Sequence, residues 1–262
     1  MSNVKPNIPQ EVKDLQAKAE NADRDAILAL GKCYFLGKNV PCDLEKAYTY
    51  FDDAAKLANQ EAKYHVAFCM FYRVGTGEDS YKARHITVQA ARAGYAPALL
   101  ASHARKELAS HSQIKNALHQ VEKAAAAGDP FAQFRLAVCY ERGDLVDKNL
   151  TEAFKWFLKS AEQGHVVAMH VVGLMMEEGS GVPKNVKEGI KWFERAGDRG
   201  FQDSQEHLRN WMKDKEQKMK SGNNNNSTTT ETSNYLDTDR DNAESGSSSS
   251  SFAWIWAYCT IV

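Results

Sequence analysis

Apolar residues recur at helical spacing in short blocks, each closed by a glycine and a polar stretch. In AQFRLAVCYERGDLVDKNLTEAFKWFLKSAEQGH, which starts at Ala132, the set Phe131, Phe134, Leu136, Val138 and Tyr140 predicts a helix that stops at Gly143. A polar loop follows, in which Asn149 or Thr151 is placed to cap a second helix through Phe154, Trp156, Phe157 and Ala161. Gly164 then ends that helix, because glycine readily takes the left-handed conformation that terminates helices. Small residues (Ala132, Ala153, Ala161) stand where two helices must approach, and Leu136, Tyr140, Trp156 and Phe157 fill the space between them.

The block repeats. Ala132 and Ala168, Gly143 and Gly179, Trp156 and Trp192, and Gly164 and Gly200 are each 36 apart. The same ruler reaches back to Ala98, Ala62 and Ala26, with one step shortened to 34, and forward to Ser204. A hairpin of this length cannot bury its apolar stripe alone, so stacking of neighbours is required. The expected organisation is an N-terminal extension over 1–21, partly helical, and a repeat solenoid over 22–215. Its units lie near 22–59, 60–95, 96–129, 130–165 and 166–201, with a partial unit over 202–215.

The repeated elements resemble the Sel-1-like repeat family, relatives of tetratricopeptide repeats. They stand as Leu30-Gly31, Tyr34 and Gly37 to Val40 in the first unit, and as Lys155-Trp156-Phe157 and Ala161 to Gly164 in the fourth. In the fifth they are Gly179 to Val182, Lys191-Trp192-Phe193 and Arg199-Gly200. The resemblance spans roughly residues 22–210 and implies an all-α solenoid. The third unit departs from it. After Ala98 there is no Gly-x-Gly loop, and Ser102, His103, Arg105 and Lys106 replace apolar residues. Its first helix is expected to shift register and turn Leu100, Ala101, Ala104 and Leu108 inward, with a bend in the solenoid there.

Composition narrows the function. A formal net charge of −1 over 262 residues offers no broad basic surface for nucleic acid. The first residues form no apolar leader, so a reducing intracellular compartment is expected for the five cysteines. Cys33, Cys69 and Cys139 share one repeat position, filled by Met175 in the fifth unit, and read as small apolar packing residues. Cys42 has no visible partner. His103, His111 and His119 are eight apart and separated by a turn, which does not suit metal ligation. The acidic run from Asp237 begins like a calcium loop but has Ser248 where Glu is needed. No phosphate loop, nucleophile elbow or catalytic carboxylate pair is visible, so no enzyme activity, cofactor or small-molecule substrate is expected.

The resemblance implies a concave wall made by the first helices, at the second, sixth and ninth positions after each repeat alanine. These positions hold Phe35, Tyr64, Phe68, Phe71, Phe134 and His170, candidates either for gripping a protein partner or for packing between units. Glu107, Glu141 and Glu177 give the later wall an acidic edge.

Residues 216–251 are rich in Ser, Asn and Thr and read as a disordered tether. The apolar aromatic segment 252–262 ends in Cys259-Thr260-Ile261-Val262, which looks like a prenylation box on Cys259 with Val in the unusual last place. Phe252, Trp254, Ile255, Trp256 and Tyr258 would supply a second membrane hold. The rival reading of the same end is a ligand for a PDZ-type groove. Repeats, tether and terminal box together are similar to fungal chitin-synthase activators. They imply an adaptor on the cytoplasmic face of a membrane, at septum or growth sites. The alternative is a soluble co-chaperone-like scaffold.

Overall fold

In the computed structural model, which describes residues 8–102, 105–143 and 145–223, the chain is a stack of helices, with no strand among the described residues. Helix α1 (Gln10–Glu20) precedes the first pair, α2 (Arg24–Leu36) and α3 (Leu44–Lys56). The second pair is α4 (Gln60–Phe71) and α5 (Ser80–Arg92). The third unit has three pieces, α6 (Ala96–Ala101), α7 (Arg105–Leu108) and α8 (His111–Ala126). Regular pairs resume with α9 (Pro130–Arg142) and α10 (Leu150–Glu162), then α11 (Val166–Glu178) and α12 (Val186–Asp198), and α13 (Gln202–Asn223) closes the stack.

The caps explain why these boundaries fall on the ruler. First helices are capped by Asp23, Asn59, Asp129 and His165, whose side chains accept backbone N–H groups of the first turn. Second helices are capped in the same way by Asp43, Asp79, Asn149 and Asn185. Asn149 is therefore the cap, and Thr151 is not. Each cap satisfies N–H donors that the helix itself cannot.

Two helix classes form two layers. The first helices are apolar around most of their circumference; Val166 through Met175 of α11 are all buried. The second helices are amphipathic, and α12 buries only Gly189, Trp192, Phe193, Ala196 and Gly197. The two are locked by one repeated contact. A Cβ on Gly31 would lie 2.6 Å from the Phe51 ring, and a Cβ on Gly173 would lie 2.6 Å from the Phe193 ring. Glycine at these two places lets a fully buried ring sit directly on the neighbouring helix backbone. The fourth unit places Ala137 and Phe157 at the same positions, both fully buried.

Two expectations are revised. The first helix of the third unit does not slide to a new register. It breaks after Ala101, where the buried Ser102 takes an extended conformation. Leu100 is buried and Leu108 half-buried, while Ala104 lies outside the described residues. The tether does not begin at 216, since α13 continues to Asn223. Good helix formers such as Lys215, Glu216, Gln217 and Lys218 sustain it, and the Lys215 ammonium lies 5.0 Å from the centre of the Trp211 ring. The N-terminal extension carries α1, whose Val12 is buried with Leu30 and Val40. The rest of the tail expected from the sequence, 224–251 and 252–262 with Cys259, lies outside the described residues.

Trp192 is 5% exposed, whereas Trp156 is half-buried with the Lys159 ammonium 4.0 Å from its ring centre. Trp192→Ala is therefore expected to destabilise the fold by about 3–5 kcal/mol and Trp156→Ala by less than half of that. Denaturant unfolding of the two variants checks the order; equal losses would contradict the layer assignment.

Candidate partner-binding surface

The residues expected to line a concave wall are mostly interior. Phe35, Tyr64, Phe68, Phe134 and His170 are all at most 4% exposed, and only Phe71 is half-exposed. The physical reason is the tightness of the superhelix, which brings the first unit back against the fourth and fifth. Four phenylalanines from three units surround the His165 ring. Its centroid lies 5.1 Å from Phe35, 5.3 Å from Phe68, 5.2 Å from Phe131 and 4.7 Å from Phe134, the last stacked at 11°. Such spacings are favourable for aromatic pairs and leave no room for a peptide. His170 lies elsewhere in the same core, where Nδ1 bonds the Ser204 hydroxyl at 2.8 Å between Phe193 and Phe201.

The acidic edge is similarly divided. Glu141 is buried, Glu107 is exposed, and Glu177 pairs with His207 Nε2 at 3.0 Å. The closure has a clasp on its loop side. Arg199 Nη1 donates to the Leu36 carbonyl at 2.9 Å, and Arg73 Nη1 donates to Asp203 at 3.4 Å. A Cβ on Gly164 would sit 2.3 Å from the Leu36 carbonyl oxygen, and Gly164 also holds φ at +99°. Only glycine meets both demands.

Two openings remain on this closed inner side. One, of about 840 Å³, lies between the loops of the first two units and the α12–α13 corner, with Asp43, Glu78, Arg73 and Arg199 on its walls. Three of these charged groups are engaged by neighbours outside the wall: Asp43 by Lys46, Arg73 by Asp203 and Arg199 by the Leu36 carbonyl. The other, of about 310 Å³, is flanked by Glu61, Tyr64, Tyr95, Asp129 and Phe131. The Tyr64 and Tyr95 rings are 5.6 Å apart, and Arg135 donates to the Tyr64 hydroxyl through Nη2 at 2.7 Å.

This second opening carries the unusual electrostatics. Glu61 accepts a bond from the Lys32 ammonium and lies 3.6 Å from His65 Nε2. Burial would raise its carboxyl, but His65 and Lys32 outweigh that and hold it below the usual carboxylate range. Burial pushes His65 down from the ordinary histidine value. A carboxylate favoured in its ionised form beside aromatic faces is suited to cationic side chains; Lys32 already reaches it, with its ammonium 5.9 Å from the centre of the Phe131 ring. Sequence reasoning singled out Tyr64 but missed Glu61, Tyr95 and Asp129. Tyr95 and Asp129 occupy the capping positions of the ruler, which was the available signal.

The cysteines behave as expected of packing residues. Cys69 and Cys139 are buried, Cys33 half-buried, and burial raises the Cys33 and Cys69 thiols above their ordinary value. Cys42 donates weakly to the Phe35 carbonyl at 3.4 Å. Among the described residues no group of three or more His, Cys, Asp and Glu could hold a metal ion, and no helix is long and apolar enough to cross a membrane.

The Sel1 repeat model matches this chain at residues 24–59, 60–95, 130–165 and 166–201, four stretches of 36 that exceed half of the 262 residues. It skips the broken third unit. Among curated proteins, the chain is 31% identical to the DAP3-binding cell death enhancer 1 of Rattus norvegicus, covering 47% of this chain and 32% of that protein. It is 30% identical to the chitin synthase regulator SKT5 of Saccharomyces cerevisiae, covering 61% of this chain and 24% of that protein. The chain thus spans less than a third of either relative's length. A Sel1 repeat protein of Oxalobacter formigenes matches in structure at 27% identity, covering 76% of this chain and 59% of that one, with a TM-score of 0.38.

Burial of His165 and His170 sets a pH dependence. His165 and His170 are each pushed down to about 3 from 6.5, chiefly by burial. The unfolded chain therefore binds protons that the folded one refuses, and stability present above pH 6.5 drains away as pH falls toward 3. Each histidine contributes roughly 1.4 kcal/mol of loss per pH unit in that window. His165→Asn keeps an acceptor for the Ala168 N–H, and it should lower stability at pH 7 while flattening the decline between pH 6.5 and 5. Thermal unfolding at several pH values checks this; an unchanged slope would contradict the neutral buried state.

Proposed function

This chain belongs to the Sel1 repeat family, and from that premise we infer that it works as a non-catalytic adaptor. The observation that carries the reading is the four-repeat match over more than half the chain, because Sel1 repeats form a protein-interaction fold. Its solenoid would hold a protein partner, and its C-terminal segment would touch a membrane through a lipid on Cys259 and the rings of Trp254 and Trp256. A single lipid chain binds only marginally, so the aromatic residues would serve as the second hold.

The likeness to the chitin synthase regulator SKT5 supports a membrane enzyme of cell-wall synthesis as the partner, and hence a place at the cytoplasmic face of the membrane where walls or septa grow. For the contact itself we favour the opening beside Glu61, Tyr64 and Tyr95 over the inner wall. A partner's lysine or arginine would meet an ionised carboxylate and aromatic faces there. Phe71, the half-exposed member of the expected wall set, lies on the same helix as Glu61 and Tyr64.

Cys259→Ser should move the protein from the membrane pellet to the supernatant at least tenfold, with mass analysis of the native C-terminus showing the lipid. Unchanged partitioning would overturn the anchor. After crosslinking in its own cells, the captured partner should persist with Cys259→Ser and drop severalfold with Tyr95→Ala. Equal recovery from both would move the contact away from this opening.

A further inference from the structure

The broken third unit leaves an apolar surface that the regular units cover. Elsewhere a first helix of twelve or thirteen residues lies along its partner. Here α6 ends after six residues, while α8 runs for sixteen. The N-terminal half of α8 consequently projects past its truncated partner, with Ile114 and Leu118 one turn apart and both half-buried. Leu145 from the following unit meets them. Together they floor a cleft of about 510 Å³, within the range of ligand-binding pockets. Its rim is basic, carrying Lys106, His111 and Lys115.

We infer that this cleft is the seat of the chain's own segment 252–258, Phe-Ala-Trp-Ile-Trp-Ala-Tyr. Three observations converge on that occupant. The segment is apolar throughout and exposes a large unfavourable surface if left in water. It is joined to the end of α13 by 28 residues, 224–251, which span at most roughly 90–100 Å, and two units separate α13 from the unit of α8. The connecting stretch carries Glu231, Asp237, Asp239, Asp241 and Glu244 against the single base Arg240, a charge opposite to that of the cleft rim. Because the segment is tethered, its docking is intramolecular and favoured by a high effective concentration. Docking would withdraw the aromatic residues from a membrane, so that membrane and cleft compete for them. The inference does not depend on lipidation of Cys259.

The test uses the full chain in a Cys259→Ser background, with a photoreactive benzoylphenylalanine in place of Trp256. Irradiation of dilute protein should give a crosslink within one chain, mapping to the peptides that contain Ile114–Leu118 or Leu145. The surface reversal Lys106→Glu with Lys115→Glu should weaken that product severalfold, and Leu118→Glu should reduce it at least tenfold. Circular dichroism melting would confirm that each variant remains folded. No crosslink within the chain, crosslinks joining two chains, or crosslinks elsewhere on the solenoid would overturn the proposal.

Discussion

His165 holds together parts of the chain that are far apart in sequence. Its backbone begins α11, its Nδ1 accepts the Ala168 N–H at 3.2 Å, and its ring is packed by phenylalanines of the first, second and fourth units. One side chain thus does two jobs, capping a helix and filling the hub. An aspartate or asparagine, which the other regular units use as the cap, would do only the first. The ring can be buried because it stays uncharged, and burial itself keeps it so.

The hub changes what the solenoid offers to other molecules. An open superhelix presents its first helices as a concave wall. Here those helices are apolar nearly all round, and the first unit folds back until Leu36 meets Arg199 and Gly164. The would-be groove becomes core. What remains accessible are openings between units and at irregularities, where helix ends, loops and charged residues meet.

The third unit is the principal irregularity. It lacks the polar loop and the long first helix, the Sel1 repeat model passes over it, and it is where a fully formed hairpin would have sealed the apolar face of α8. A repeat protein made of nearest-neighbour contacts tolerates such a unit, because the units on either side bury most of their own surface. The tolerance leaves an incompletely covered face at that point, while the hub bridges the units around it.

The helices, their pairing and most boundaries were legible in the sequence. Helical periodicity and capping residues are local, and they recur at a fixed interval: Asp43, Asp79, Asn149 and Asn185 mark second helices whatever surrounds them. The buried role of Phe35, Phe68 and Phe134 was not legible. A first-helix aromatic residue reads the same whether it lines a groove or fills a hub, and that depends on how far each unit rotates on the last. Contacts between successive units, such as Gly75 against the Leu44 carbonyl and Gly181 against the Leu150 carbonyl, bear on that rotation, and its effect accumulates along the stack. Local chemistry therefore determined the parts and their order, whereas the accumulated geometry of packing decided which faces meet solvent and which meet one another.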